Sequence, residues 1–107
     1  MIFSVNGNIW LLKFVHPSSS DLLRSDMTRT FGVTDNSVKT VFIADNMDDY
    51  MTDKVIVHEL SHVHAMEYGY SIPIEVEEVV CDFLSLYGRK IIYLADDIMS
   101  QIMRSVA

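Results

Sequence analysis

The chain has one cysteine, Cys81, so it cannot close a disulfide within itself, and that usage fits a protein kept in a reducing cytoplasm. Positive charge is scarce as well: eight lysines and arginines stand against fifteen aspartates and glutamates, a formal charge of −7. Nucleic-acid backbones are gripped through a basic stripe, and without one neither DNA nor RNA is an expected ligand. Long apolar runs are missing too. "IIYLA" and "IVHEL" fall far short of the roughly 20 residues needed to span a bilayer. The opening "MIFSVNGNIW" has no charged segment ahead of its apolar residues and is interrupted by Asn6-Gly7-Asn8, which reads against a signal peptide. These absences lead to an expectation of a soluble cytoplasmic protein with no membrane or nucleic-acid partner. There are also no repeats, low-complexity tracts or linkers, and 107 residues suffice for one hydrophobic core rather than two, so residues 1–107 read as a single domain.

Half of the residues are apolar, and their periodicity changes midway along the chain. "IFSV" and "NIWLLKFV" flank Asn6-Gly7, a dipeptide that favours the positive φ angles of a tight hairpin turn. "SSSDLLRS" offers capping residues for no more than a short helical turn. Alternating and β-branched residues then predict strands near Thr30–Thr34 and Val38–Ala44 around a turn at Asp35-Asn36. Together these give a short antiparallel sheet of about four strands.

From Asn46, a candidate cap, the pattern becomes helical, with Asp48, Asp49 and Asp53 complementing the helix dipole and Gly69 placed to end the helix. Pro73 suits the start of a second helix, "IEVEEVVCDFLSLYG", with Val76, Val79, Val80, Phe83 and Leu84 expected on its buried side and Gly88 expected to break or bend it. Ile91, Leu94, Ile98 and Ile102 predict a third helix on the same core. Strands first and helices afterwards indicate an α+β domain.

The chemistry concentrates in "VIVHELSHVHAMEYG". His58 and His62 are four residues apart, about 40° around a helix axis and one turn along it, so both imidazoles can grip one ion. Glu59 lies beside them, offset to where a carboxylate can take a proton from an activated water. Catalytic zinc needs a third protein ligand and one open position. A third histidine six residues past His62 is excluded, because Tyr68 stands there and Ala65 occupies the place of the preceding glycine. The next helix instead supplies Glu78 with Asp82 one turn on, suited to coordinate the metal and to accept an imidazole N–H respectively. Glu77 competes for the ligand role but has Cys81, not an acid, one turn further on.

"VIVHELSHVHAMEYG" followed by "EEVVCDFLSLYG" resembles the gluzincin metallopeptidases, in particular the small ImmA/IrrE-like metallopeptidase domains carried by phages and mobile elements. The resemblance runs from about the second hairpin to Gly88. Position by position it implies zinc ligands at His58, His62 and Glu78 and a catalytic glutamate at Glu59. Many members follow the glutamate ligand with an alanine-asparagine pair, where this chain has Val79, Val80 and Cys81. The resemblance implies a zincin-like active-site helix and a Zn2+-dependent endopeptidase whose substrate is a protein, in better known members a helix-turn-helix repressor.

Several residues also have plainer readings. His16 and His64 read as structural, the seven methionines as core fillers, Cys81 as a buried apolar residue rather than a fourth ligand, and Glu67 as an ordinary helix residue. Tyr68, Tyr70, Tyr87 and Tyr93 could donate to an oxyanion, with aromatic packing as their default. The acidic run Asp45–Asp53 reads as a solvated helix start that could attract a basic substrate. Val38–Ala44 is the first candidate for an edge strand that pairs with an extended peptide. Against the peptidase stands a non-catalytic, zinc-stabilised interaction module of a phage or mobile element, because ligation free energy adds to folding free energy.

Overall fold

The structure is a computed structural model that describes residues 1–105. Its strands are β1 (Ile2–Val5), β2 (Asn8–Val15), β3 (Gly32–Asp35) and β4 (Thr40–Ala44), with a short 3-10 turn at Ser20–Leu22 between β2 and β3. Three helical stretches follow: α1 (Asp49–Glu67), α2 (Ile74–Phe83) and α3 (Arg89–Ser105), the last two joined through a π-helical turn at Leu84–Gly88. The domain is α+β, as its residue pattern predicts. Asn6 and Gly7 carry φ of 51° and 78°, the turn that joins β1 to β2.

The sheet order is β1-β2-β4-β3, and β2 pairs with β4 in parallel, Leu11 opposite Thr40 through Val15 opposite Ala44. The sheet is therefore mixed rather than wholly antiparallel. Local hairpin signals identify β1–β2 and β3–β4, but they carry no information on how two hairpins join. The long connection after Val15 runs to the far edge, lays down β3, and inserts β4 between it and β2. This also corrects the edge assignment: β4 is interior, and β3 is the edge on the side of α1.

The core lies between one face of the sheet and α1. Trp10, Val41, Ile43 and Val63 are fully buried, with Val5 and Leu12 beside them and Val55, Ile56 and Met47 packed around. Asp48, not Asn46, caps α1, accepting from the Met51 amide at 2.8 Å. Gly69, at φ 70°, ends it while the Tyr70 amide returns to the Ala65 carbonyl at 2.9 Å. Of the methionines, Met47 packs on the core, while Met1, Met27, Met66, Met99 and Met103 are exposed.

The second helical region departs most from expectation. Val76, Val79, Val80, Phe83 and Leu84 face solvent, and the buried residue of α2 is Cys81. Periodicity assigns an apolar stripe to the core, but α1 presents two desolvated imidazoles to α2, and those demand polar partners. Glu77 and Glu78 consequently turn inward. Gly88 does not break the chain, which passes through the π turn into α3 as one long helix. Nor does α3 pack on the core: every residue from Arg89 to Arg104 is exposed, and the molecule reaches 56 Å along its longest axis. Among the described residues no helix is long and apolar enough to cross a membrane.

Candidate metal centre

The spacing of His58 and His62 on α1 brings their rings together at a centroid distance of 5.0 Å, edge to face. Both turn Nε2 inward to the same carboxylate. Glu78 Oε1 lies 2.7 Å from His62 Nε2, and Glu78 Oε2 lies 3.4 Å from His58 Nε2. The outward nitrogens meet separate acids: His58 Nδ1 is 2.9 Å from Asp82 Oδ1, and His62 Nδ1 is 3.4 Å from Glu77 Oε1. A carboxylate on Nδ1 holds a proton there and leaves the Nε2 lone pair aimed inward. Asp82 thus takes the role expected of it, on His58. Glu77, the alternative ligand, lies against the outer nitrogen of His62 instead of between the two rings.

Two inward lone pairs facing carboxylate oxygens at these separations need a cation, either a proton or a metal ion. The donor set fits a metal: ligand atoms about 2.0–2.1 Å from a tetrahedral zinc stand roughly 3.3 Å apart, a value bracketed by 2.7 and 3.4 Å. Cys81 offers a second set, because its sulfur and one nitrogen of each histidine lie within 4.8 Å of one another. Burial pushes the Cys81 thiol up to about 12, and the carboxylates of Glu77, Glu78, Glu59 and Asp82 push the same way. Without a metal it is a neutral, buried thiol, whereas the Glu78 oxygens already meet Nε2 of both histidines, which makes Glu78 the better third donor.

Glu59 is buried at the foot of the same cleft, with Oε2 3.9 Å from His58 Nε2. The Thr34 hydroxyl on β3 donates to Oε1 at 3.0 Å and also lies 3.2 Å from the Glu59 carbonyl. Burial raises this carboxyl above its ordinary range, against the opposing pull of His58, His62 and the Thr34 hydroxyl. Gly32 makes the close approach of β3 possible: a Cβ there would stand 2.7 Å from Val55 Cγ1 and 2.9 Å from Glu59 Cγ. Neither Gly32 nor Thr34 is among the sequence candidates. A glycine inside a β-prone run signals a close approach and could have flagged Gly32. Thr34 carries no local signal.

Two concavities flank Glu59 and Glu78, one of about 250 Å3 on the His58 side and one of about 400 Å3 on the His62 side. Both are walled by Arg24 and Gly32. Tyr68, Tyr70, Tyr87 and Tyr93 line neither. His16 Nδ1 is held by Ser18, and His64 by the Leu60 carbonyl at 2.6 Å, so both are bystanders. Glu67 is more than an ordinary helix residue. It accepts from Trp10 Nε1 at 2.8 Å, from Lys39 Nζ at 2.9 Å and from the Asn8 side chain, pinning the end of α1 to the sheet. No protein-family model, curated protein or solved structure matches the chain.

Proposed function

We propose that the chain is a zinc-dependent metalloendopeptidase of gluzincin type, the activity implied by its resemblance to ImmA/IrrE-like domains. The observation that carries this reading is the convergence of His58 Nε2, His62 Nε2 and the Glu78 carboxylate beside a buried glutamate, in a cleft bordered by a sheet edge. His58, His62 and Glu78 would hold the ion, and Asp82 and Glu77 would fix the imidazole tautomers. Zinc bound there supplies a Lewis acid that polarises a peptide carbonyl and acidifies water. Glu59 is the proton carrier. Thr34 occupies Oε1, which leaves Oε2 to take a proton from the attacking water and return it to the leaving amine. A carboxyl held above its ordinary range by burial suits both halves of that transfer.

An extended peptide would pair along the open side of β3, where Gly32 keeps the backbone close to Glu59. The resemblance extends the proposal to a cytoplasmic regulatory or repressor protein as substrate. Glu59→Gln tests the mechanism: cleavage of a casein or mixed-peptide substrate should fall at least a hundredfold while zinc stoichiometry is kept. Equal cleavage by both proteins would sink it.

A second reading, a zinc-stabilised module without catalysis, is favoured by the proximity of Cys81 to both histidines. Metal analysis separates the two. The peptidase reading expects Glu78→Ala to lose zinc and Cys81→Ala to keep it; loss of zinc in both variants means a closed, four-ligand structural site.

A further inference from the structure

In a chain short of cations, most lysines and arginines with a visible task serve the fold. Lys39 pairs with Glu67, Arg89 with Asp53, Arg29 caps the carbonyls of Pro17 and Ser19, and Lys90 lies over the Tyr87 ring. Arg24 and Lys54 have no such task, and both line the concavity of about 250 Å3 on the His58 side of the cleft. Neither joins an ion pair among the described residues, where the lysine and arginine pairs are Lys39–Glu67 and Arg89–Asp53. Arg24 makes one long contact, 3.5 Å to the Thr30 hydroxyl. Asp26, two residues along, is engaged by the Thr28 hydroxyl and amide at 2.6 and 3.0 Å and feels Arg24 only as a neighbouring charge.

The acids of the same concavity already have partners: Glu59 has Thr34, Glu78 has both imidazoles, and Asp82 has His58. Lys54 is half-buried one helical turn before His58, with Met51 and Val55 forming apolar wall beside it. The result is a small, partly desolvated chamber next to the candidate metal centre with two uncommitted positive charges at its rim.

We propose that this chamber is a carboxylate-recognition subsite in which Arg24 and Lys54 seat the acidic side chain or the terminal carboxylate of a peptide. An arginine fork meets a carboxylate through two parallel hydrogen bonds, and a lysine adds a point charge. The charge of −7 draws basic proteins towards the molecule as a whole, whereas the chamber selects an acid locally. As a statement about cleavage specificity the proposal rests on the peptidase reading; as a statement about binding it does not.

The test uses zinc-loaded Glu59→Gln protein and fluorescein-labelled, amidated octapeptides of alanine with one Glu, Gln or Lys, plus the Gln peptide with a free C-terminus. Anisotropy should show the Glu or the free-acid peptide bound at least tenfold more tightly than amidated Gln; which of the two leads identifies the source of the carboxylate. Adding Arg24→Gln and Lys54→Gln should bring that preference within twofold, and Lys54→Glu should move it towards the Lys peptide, with melting curves confirming that each variant folds. Equal binding of all four peptides overturns the subsite, as does a preference that survives the paired substitutions. The protein with Glu59 intact separates the two readings. Cutting without acid preference removes the subsite and leaves the peptidase, whereas acid-selective binding without cutting removes the peptidase and leaves the subsite.

Discussion

In the sheet and α1, Trp10, Val41, Ile43 and Val63 are wholly removed from solvent, whereas on α2 and α3 Val79, Ile92 and Leu94 are each more than half exposed. The two regions are equally apolar in sequence and held by different forces. The sheet and α1 cohere by burial. The arm formed by α2 and α3 meets α1 through a polar seam: Asp82 on His58, Glu78 on both imidazoles, and a two-pronged contact from Arg89 to Asp53 at 2.7 and 2.9 Å, with Cys81 as the buried residue of α2. The candidate metal centre straddles this boundary. Its two imidazoles and Glu59 stand on the well-buried region, and Glu78 stands on the other.

The contrast can be broken at several strengths. Trp10→Ala should have the largest effect, about 3–5 kcal/mol of stability, enough to unfold much of a domain this small and visible in urea denaturation. Gly32→Ala should come next, at about 1–3 kcal/mol, since its Cβ would press on Val55 and Glu59; on the proposed peptidase reading it should, unlike Trp10→Ala, also lower cleavage in the fraction that remains folded.

Acid should loosen the end of α1 from the sheet through Glu67. Lys39, then Trp10 and Asn8, hold this carboxyl below its ordinary value of 4.5. A depressed carboxyl stabilises fully above the unfolded value and loses that contribution as pH falls through the folded one. Thermal melting should therefore drop more steeply from pH 5 to pH 3 in the natural chain than in Glu67→Gln. The smallest change belongs to the arm: Val79→Ser should shift stability by less than about 0.5 kcal/mol, because the side chain is already in water. A loss comparable to that of Trp10→Ala would mean that the exposed face is covered in solution.

Local chemistry made part of this legible. Asn6-Gly7 identified its hairpin, Gly69 its helix end, and the four-residue spacing of His58 and His62 their common face, because each depends on contacts within a few residues. Glu78 with Asp82 was readable for the same reason. The parallel pairing of β2 with β4 depends on residues nearly thirty apart, and nothing local encodes it. The outward turn of Val76, Val79 and Phe83 was hidden by a rule that ranks apolar burial above the needs of two imidazoles, one buried and one half-buried. Thr34 and Glu77 acquire their roles only when β3 and α2 arrive at α1.

The π turn at Leu84–Gly88 has a mechanical meaning. Because it carries α2 into α3 without a break, the two form one continuous helix gripped by α1 at Glu78, Asp82 and Arg89, with about 25 Å of helix beyond Arg89. The geometry of three residues at the cleft is thereby tied to the posture of a helix whose far end touches none of them.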